Sequence, residues 1–302
     1  MGDARVDVVV VSYGSAATLR ACVEPLCRAE GVRVIVVDNA SPDDALETIA
    51  DLPVTAIRAG RNGGFSFGCN LGAAAGTSEY VLFLNPDAIL SPADLAALVA
   101  VLDGDRATGL VAPRILGGEG ELLLSRRHLP RLRTSFAQAL FLHRLLPWAA
   151  WTDELVREPE AYDRPGEADW VSGACMLVRR SAFEAIGGFD EGFFLYCEDT
   201  DICVRLRAAG HAVRYEPAAV ARHIEGSSAP RSELVAIHAR SRLRYARLHY
   251  GRGGAWLEAA AVCLWALTHA VVAAPRRPAT ARGHLAALRA VVRQPRSAAA
   301  AH

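Results

Sequence analysis

Apolar and polar residues alternate in blocks over the first third of the chain. Val6–Tyr13 and Tyr80–Leu84 are almost continuous apolar runs, as is typical of the buried strands of a parallel sheet. Two more such runs, Val32–Val37 and Val54–Ile57, lie between them. The intervening segments show helical spacing of apolar residues, as in Ser66–Ala75. Alternating strands and helices predict an α/β fold with a doubly wound, mostly parallel sheet and helices on both faces.

The pattern changes further along the chain. Residues 114–168 have no clear period, and we interpret them as a variable insertion over a cleft. Order returns over 169–230, and residues 231–302 are helical and rich in arginine. We therefore predict a domain over 1–230, whose first half is 1–113, followed by a C-terminal helical appendage. The later predicted strands are Trp170–Arg179, Val213–Tyr215 and Val220–His223.

Polar residues stand at the ends of three predicted strands. Open α/β sheets bind ligands in the crevice at the carboxyl ends of their strands, so this pattern predicts a ligand site. The first strand–helix turn lacks a G-x-G-x-x-G pattern, and a chain without lysine has no P-loop. The strand-end residues are Ser12, Tyr13, Asp38, Asn39, Asn85 and Asp87.

Each of these residues also has a simpler interpretation. Asp38 fits a hydrogen bond to a base or ribose, but equally a turn before Pro42. Asp87 suits Mg²⁺ or Mn²⁺ bound together with substrate phosphate, or a plain strand-end turn. His223, followed by a predicted loop over 224–228, is either a structural histidine or a ligand for Mn²⁺.

An acidic stretch opens a predicted helix late in the chain. Glu198, Asp199 and Asp201 follow an aromatic run directly. They fit an acidic helix start, with Asp201 paired to Arg205 one turn on. The alternative is that one of them is a general base in the cleft.

Charge is distributed unevenly along the chain. Residues 1–230 carry 21 arginines against 31 acidic residues, whereas 231–302 carry 12 arginines against two. A basic tail predicts an anionic partner, and anionic lipid fits better than nucleic acid because no nucleic-acid motif accompanies the arginines. The apolar segment Ala255–Ala274, flanked by Arg252, Arg276 and Arg277, is either an interfacial helix, a membrane span, or a buried or dimer-forming helix.

The cysteines and the N-terminus indicate the compartment. Seven cysteines, an odd number without metal-site spacing, favour buried thiols in a reducing compartment. The chain enters a strand almost at once, without a basic segment and apolar run typical of a signal peptide. We therefore expect a cytoplasmic protein.

Several ordered motifs together resemble family 2 glycosyltransferases with the GT-A fold, and bacterial rhamnosyltransferase-like members in particular. The resemblance covers about residues 6–228. The motifs are Val9–Tyr13, Val36–Ser41, Asn62–Phe65 with Asn70 and Gly72, Leu84–Asp87, Ser172–Ala174, Gly187–Glu191 and Glu198–Asp201.

The resemblance implies an inverting transferase with defined roles for these residues. Residues 1–113 would bind the nucleotide diphosphate sugar, and 169–230 would hold the acceptor and the catalytic base. Asp199 would be that base, with Glu198 as the fallback, and Asn85 replaces the first Asp of a D-x-D element. The donor would contact Ser12, Tyr13, Asp38, Asn39, Asn62, Gly64, Asn85 and Asp87, the metal Asp87 and His223, and the acceptor or sugar Trp170, Gly173 and Asp190.

Three functions stay open on the sequence. The first is transfer from a dTDP- or UDP-linked sugar, rhamnose among others, to a lipid-linked or cell-surface glycan precursor at the inner face of the cell membrane. The second keeps the chemistry but uses a soluble metabolite as acceptor, with the C-terminal helices forming a homodimer. The third is a nucleotide-sugar-binding protein without activity.

Overall fold

A computed structural model describes residues 4–224, 231–275 and 277–293 of the chain. The predicted loop lies partly outside this range, since 225–228 are not described. Arg276, expected to flank the apolar helix, is also outside the described residues.

The chain divides into two compact units. The first consists of Met1–Leu129 and Leu155–Ser228. The second consists of Pro130–Glu154 and Ala229–His302. Residues 130–154, which belong to the predicted insertion, are therefore grouped with the C-terminal helices.

The secondary structure follows the apolar pattern closely. The strands are β1 (Val6–Ser12), β2 (Val32–Asp38), β3 (Val54–Arg58), β4 (Tyr80–Leu84), β5 (Ala88–Leu90), β6 (Thr108–Leu116), β7 (Leu122–Leu123), β8 (Arg126–Arg127), β9 (Gly166–Glu167), β10 (Trp170–Val171), β11 (Cys175–Arg179) and β12 (Ala212–His223). The helices are α1 (Leu19–Cys27), α2 (Phe65–Ala74), α3 (Pro92–Gly104), α4 (Leu132–Ala139), α5 (Leu142–Leu145), α6 (Arg180–Ala185), α7 (Glu198–Ala208), α8 (Arg231–His249), α9 (Gly251–Ala273) and α10 (Pro278–Arg293). Short 3₁₀ helices cover Ala45–Ile49, Ala150–Thr152 and Pro159–Tyr162.

One large sheet organises the first unit. Its strand order is β3-β2-β1-β4-β11-β6-β12-β5, and β7 and β9 pair with β6 and β12. The first four strands are parallel, so their carboxyl ends meet at one edge. β11 runs antiparallel between β4 and β6, while β8 and β10 form a separate pair. The predicted α/β fold with a mostly parallel sheet and a C-terminal helical region is confirmed.

Helices cover both faces of this sheet because its central strands are apolar on both sides. All seven positions of β1 are buried. One apolar layer packs β1 against α1 and α3, and the other packs it against α2 and α7. The sequence pair Ser91-Pro92 begins α3: the Ser91 hydroxyl accepts the Asp94 N–H at 3.1 Å and Pro92 is the first helical residue.

The last strand differs from its prediction. Two short strands were expected at Val213–Tyr215 and Val220–His223, but the structure has a single strand, β12. Its pairing with β6 shifts register between Glu216 and Val220. Pro217, which has no N–H to donate, lies in this irregular stretch, so the break in the apolar pattern marks a bulge inside one strand.

The second unit is helical and has a charged cluster in its interior. Arg242 on α8 donates to Glu258 on α9 at 3.0 Å and pairs with Glu154. The Ser135 hydroxyl of α4 lies 2.7 Å from both Arg242 and Glu258. All four residues are buried, so the two carboxylates and the cation compensate one another away from water.

Helix α9 is the predicted apolar segment. Among the described residues it is the one helix long and apolar enough to cross a membrane, with a mean hydropathy of 1.6 over its most apolar window. One of its faces is buried and includes Glu258, Ala261 and Ala266. Other positions, such as Trp256 and Val271, are exposed.

Candidate active site

The carboxyl ends of β1 and β2 bring four predicted site residues together. In the parallel register Ser12 is level with Asp38, and the N–H of Asn39 donates to the Ser12 carbonyl at 2.9 Å. These three residues are buried, whereas Tyr13 keeps 37% of its surface exposed. This edge therefore presents an exposed aromatic ring beside buried polar groups.

Asp38 takes part in both a turn and a charge contact. One carboxylate oxygen accepts the N–H of Ser41 at 2.9 Å, which is the turn considered from the sequence. The other oxygen lies 3.6 Å from the guanidinium of Arg58, whose side chain is 75% exposed. The turn fixes the carboxylate in place, and a ligand role remains a prediction.

Asn39 ties the second strand end to the glycine turn before α2. Its amide nitrogen donates to the Asn62 side chain and to the Gly64 carbonyl, both at 3.0 Å. Its amide oxygen accepts the Gly63 N–H at 3.2 Å. Asn39, Asn62 and Gly64, predicted from separate motifs, therefore form one network.

Gly64 brings this turn against the acidic stretch. Its φ of 90° lies in the region that favours glycine. A β-carbon at this position would come within 2.3 Å of the carbonyl oxygen of Phe194. That same oxygen accepts the N–H of Phe65 at 2.8 Å. The chain just before α7 is thus held against the glycine turn that precedes α2.

Asp87 and His223 meet because β5 pairs antiparallel with the end of β12. This pairing sets His223 opposite Ala88, next to Asp87 in the chain. The His223 Nε2 lies 3.1 Å from the Asp87 carboxylate and 3.5 Å from the Asn85 amide nitrogen. The described residues contain no group of three or more His, Cys, Asp or Glu side chains that could hold a metal, so Asp87 and His223 stand as a pair.

Asp199 sits in the first turn of α7 and is held by two backbone donors. The N–H of Gly173 donates to one carboxylate oxygen at 3.1 Å, and that of Thr200 donates to the other at 2.8 Å. Burial raises the pKa of Asp199, while these donors and the charge of Arg127 oppose the rise. The two donors fix the orientation of the carboxylate, and the residue as a whole is half-buried.

Glu198 occupies a different environment from its neighbour. It is 7% exposed, and its Oε2 has no hydrogen-bond partner among the described residues. Burial, with the nearby charge of Asp199, raises the pKa of Glu198 to about 8. At neutral pH the Glu198 carboxyl is therefore mostly protonated.

The helix-cap interpretation of the acidic stretch is correct only in part. The residue before the helix, Cys197, makes no side-chain cap, and it and Tyr196 have φ values of 66° and 70°. The predicted pair of Asp201 and Arg205 is confirmed, with 2.6 Å between carboxylate and guanidinium. Asp201 is thereby committed to structure, and the two remaining acids stand at a tight, strained turn.

The three residues expected beside the acceptor lie in different settings. The N–H of Gly173 donates a hydrogen bond to the Asp199 carboxylate. Trp170 is buried, and its indole N–H donates to the carbonyl of His128 at 2.9 Å. Asp190 lies in a turn, where it accepts the N–H of Gly192 at 2.9 Å. Trp170 and Gly173 thus belong to the segment around the candidate base, and a ligand contact of Asp190 remains a prediction.

A main-chain hydrogen bond links the segment of Asn85 to the segment that holds Asp199. The N–H of Asn85 donates to the carbonyl of Ala174 at 2.9 Å, because β11 pairs with β4. The same neighbourhood contains Arg127, which the sequence did not single out. Its guanidinium carbon lies 5.3 Å from the centre of the Trp170 ring. The pairing of β8 with β10 brings Arg127 next to Trp170. These strands are more than forty residues apart in the chain, so no local sequence pattern predicts this contact.

Comparison with known proteins shows which family the chain belongs to. Residues 7–187 match the family model for glycosyl transferase family 2. The chain belongs to this family. It is therefore a glycosyltransferase, and residues 149–288 also match the glycosyl transferase family group 2 model.

Two curated relatives are similar over different lengths. An N-acetylglucosaminyl-diphospho-decaprenol L-rhamnosyltransferase of Mycobacterium tuberculosis is 32% identical over 263 residues, which cover 81% of this chain and 85% of the relative. Rhamnosyltransferase WbbL of Escherichia coli is 33% identical over 150 residues, which cover 48% of this chain and 52% of the relative. The predicted resemblance to rhamnosyltransferases is confirmed.

Solved structures support the fold. The mannosyltransferase PcManGT of Pyrobaculum calidifontis, in complex with GDP-Man and Mn²⁺, has a TM-score of 0.57 at 16% identity, covering 97% of this chain and 88% of its own. TarS residues 1–349 of S. aureus, in complex with UDP-GlcNAc, has a TM-score of 0.54 at 14% identity, covering 95% and 89%. At these identities the likeness concerns the fold alone.

Proposed function

We propose that this glycosyltransferase moves a sugar, with inversion, from a nucleotide diphosphate sugar to a hydroxyl of a lipid-linked or cell-surface glycan precursor. The observation that carries this proposal is the oriented carboxylate of Asp199, held by the Gly173 N–H at 3.1 Å. The segment that holds it is linked to the segment of Asp87, because the N–H of Asn85 donates to the carbonyl of Ala174 at 2.9 Å. An in-line displacement needs a base and a leaving-group site on opposite sides of the anomeric carbon.

The donor nucleotide would bind at the strand ends. Buried polar groups joined to the rigid Asn39–Asn62–Gly64 network suit hydrogen bonding to a base and ribose, and the exposed Tyr13 ring suits stacking. We assign the nucleotide sugar to Ser12, Tyr13, Asp38, Asn39, Asn62, Gly64, Asn85 and Asp87.

Asp199 is proposed as the general base. A sugar hydroxyl is a poor nucleophile at neutral pH, so a carboxylate must accept its proton as the hydroxyl attacks the anomeric carbon. The two N–H donors aim the carboxylate, and its raised pKa makes it a stronger base than an exposed aspartate. Glu198, protonated at neutral pH, is suited to donating a hydrogen bond rather than to accepting this proton.

Asp87 and His223 are proposed to hold a divalent cation. A carboxylate oxygen and an imidazole nitrogen 3.1 Å apart form a donor set that suits Mn²⁺ or Mg²⁺, since such ions take their other ligands from substrate phosphate and water. When bound, the cation would stabilise negative charge on the departing nucleotide diphosphate. The solved mannosyltransferase with Mn²⁺ supports metal use in this fold.

The relatives guide the choice of sugar and acceptor. One is named for transfer of L-rhamnose to N-acetylglucosaminyl-diphospho-decaprenol, and another is named a rhamnosyltransferase. We therefore propose dTDP-linked rhamnose as the first donor to test and a diphosphate-linked lipid as acceptor. Trp170, Gly173 and Asp190 are the proposed contacts on the acceptor side.

The second unit is proposed to rest on the cytoplasmic face of the membrane. Trp256, Leu267 and Val271 recur at helical spacing on α9, and they are 68%, 46% and 74% exposed. The apolar stripe lies on a helix whose neighbours α8 and α10 are rich in arginine. An apolar stripe beside basic helices suits an anionic lipid surface, where a polyprenyl-linked acceptor would be found.

A thermal-shift panel of nucleotide sugars, with and without Mn²⁺, tests the proposed function. We expect dTDP-rhamnose with Mn²⁺ to raise the melting temperature most, since a ligand that binds only the folded state stabilises it by mass action. Transfer to a lipid-linked N-acetylglucosaminyl diphosphate should follow for the same donor. No shift with any nucleotide sugar, together with no transfer, would contradict the proposal.

A further inference from the structure

Arg127 is a partly buried cation that acts on Asp199 through its charge but makes no direct contact with a carboxylate among the described residues. Among the described residues its guanidinium has no hydrogen bond or ion pair, and its Nε is buried. The neighbouring Arg126 differs, since it donates to the carbonyls of Ala161 and Glu167. An unpaired, partly buried charge is costly, so a position that keeps one next to a catalytic carboxylate points to an absent anion.

A second unpartnered group lies two positions away. Ser125 is 3% exposed, and its hydroxyl has no hydrogen-bond partner among the described residues. Residues two apart in an extended segment point to the same face, so this hydroxyl and Arg127 share a side. The Ser125 carbonyl accepts the N–H of Ser172 at 3.0 Å, and the next residue, Gly173, holds Asp199.

The chemistry of these groups suits phosphate. A guanidinium presents several N–H donors in one plane, a geometry that matches phosphate oxygens, and a hydroxyl adds a further donor. The Trp170 ring, 5.3 Å from the guanidinium carbon, restricts the guanidinium to a plane over the indole. The guanidinium and the hydroxyl would therefore supply two donor groups and one positive charge to a phosphate group.

The position of the pair selects the acceptor over the donor. Asp199 must contact the acceptor hydroxyl, and the donor diphosphate leaves on the opposite side of the anomeric carbon, towards Asp87 and His223. Arg127 lies on the base side, since its partner Trp170 shares a segment with Gly173. A phosphate bound there belongs to the molecule that supplies the hydroxyl.

We infer that Arg127 and Ser125 form a subsite for a phosphate of a diphosphate-linked acceptor, stacked against Trp170 and beside Asp199. This inference rests on the proposed function and extends it by naming the groups that recognise the acceptor. The subsite selects acceptors whose sugar is attached to a diphosphate and positions their hydroxyl at the base.

Binding to two matched probes tests this subsite. The probes are N-acetylglucosaminyl diphosphate carrying a decyl chain and the uncharged decyl glycoside of the same sugar, titrated by calorimetry into full-length protein. We expect wild type to bind the diphosphate probe at least about tenfold more tightly, as befits charge-assisted hydrogen bonds. Arg127→Gln should reduce that preference to within about threefold, Ser125→Ala should reduce it less, and Arg127→Lys should retain part of it.

Controls separate this subsite from the alternatives. Arg28→Gln removes an arginine that pairs with Glu24 on the surface of α1 and should bind both probes as wild type does. Donor binding by Arg127→Gln should also be unchanged, which shows that this variant is folded.

Three results would overturn the inference. They are an undiminished diphosphate preference in Arg127→Gln, a loss of donor binding in that variant, or no preference in wild type. If Arg127→Gln shifts the pH–rate profile but keeps the acceptor preference, then Arg127 only sets the pKa of Asp199 and does not bind the acceptor. None of these results bears on whether the wild type transfers sugar from a nucleotide donor, which the transfer assay measures separately.

Discussion

Two adjacent acidic residues, Glu198 and Asp199, have different surroundings. Asp199 accepts two backbone N–H bonds, which favour its ionised form, whereas Glu198 is buried with one oxygen lacking a partner. Burial raises both pKa values, and it raises that of Glu198 to about 8, whereas the backbone donors and Arg127 oppose the rise at Asp199. The sequence E-D could not distinguish them, since either residue of a helix start can face a cleft.

The protonation of Glu198 predicts a pH dependence of stability. A carboxyl whose pKa is raised by folding stabilises the native state fully at low pH and loses that contribution as pH rises through the folded pKa, here about 8. Wild-type melting temperature should therefore fall between about pH 5 and 8.5, and Glu198→Gln should remove most of that slope. Parallel melting curves for the two proteins across this range would contradict the assigned proton.

Asp87 and His223 predict a metal effect on donor binding. Asp87→Asn should abolish most of the Mn²⁺-dependent stabilisation by the donor and raise the Mn²⁺ concentration for half-maximal activity at least about tenfold, because a carboxylate ligand is lost. Asp51→Asn, an exposed aspartate paired with Arg20, is the matched control. Activity that persists undiminished in excess EDTA would contradict the proposed metal dependence.

At the scale of elements, the glycine turn before α2 and the loop before α7 are in close main-chain contact. Gly64 approaches the backbone of Phe194 so closely that no side chain fits, and Asn39 holds the turn from the other side. The proposed donor region and the proposed base are thus linked through main-chain contacts. Substitutions in the turn should affect both binding and catalysis.

Gly64→Ala and Gly60→Ala form an informative pair. Both positions have positive φ, 90° and 72°, so both variants bear backbone strain of about 1–3 kcal/mol. At Gly60 nothing lies within 4 Å of the added carbon, whereas at Gly64 the Phe194 carbonyl is 2.3 Å away. Denaturant unfolding should show a distinctly larger loss of stability for Gly64→Ala, by about 1–3 kcal/mol more. Equal losses would contradict the close approach.

Sequence predicts those elements whose cause is local. The apolar runs of β1 and β4 and the Ser-Pro start of α3 were visible because burial and capping leave a signal in neighbouring residues. The antiparallel pairing of β11 with β4 and β6 leaves no signal in neighbouring residues, because pairing partners depend on the whole sheet. The sequence does not predict the position of Arg127 for the same reason, because its partner Trp170 belongs to a distant segment.

At the scale of the whole molecule, exposed apolar side chains concentrate in one unit. Of the large apolar residues that are exposed among the described residues, those outside the second unit are Tyr13, Phe194 and Ile224. The second unit exposes several tryptophan, leucine and valine side chains together with many arginines. Apolar and basic surface on the same unit is what attachment to anionic lipid requires.

Vesicle binding measures this property directly. Replacing Trp256, Leu267 and Val271 by serine should reduce sedimentation with phosphatidylglycerol-containing vesicles at least about tenfold, since each side chain contributes apolar area to the interface. Ala96→Ser with Ala100→Ser, on the exposed face of α3, should have no effect. Unchanged vesicle binding by the triple variant would refute the attachment. A wild-type dimer that becomes monomeric on this change, without vesicle binding, would assign the surface to dimerisation instead.

The most direct test of the central claim is the turnover of Asp199→Asn, with Glu198→Gln as its neighbouring comparison. The amide keeps the shape of Asp199 but cannot accept a proton, so we expect turnover with saturating donor and acceptor to fall about 10²–10⁴-fold. Donor affinity should stay within about twofold of wild type, because the donor contacts lie at the strand ends. Glu198→Gln should retain far more activity than Asp199→Asn. Near-wild-type turnover in Asp199→Asn would contradict the assignment of Asp199 as the base of this glycosyltransferase.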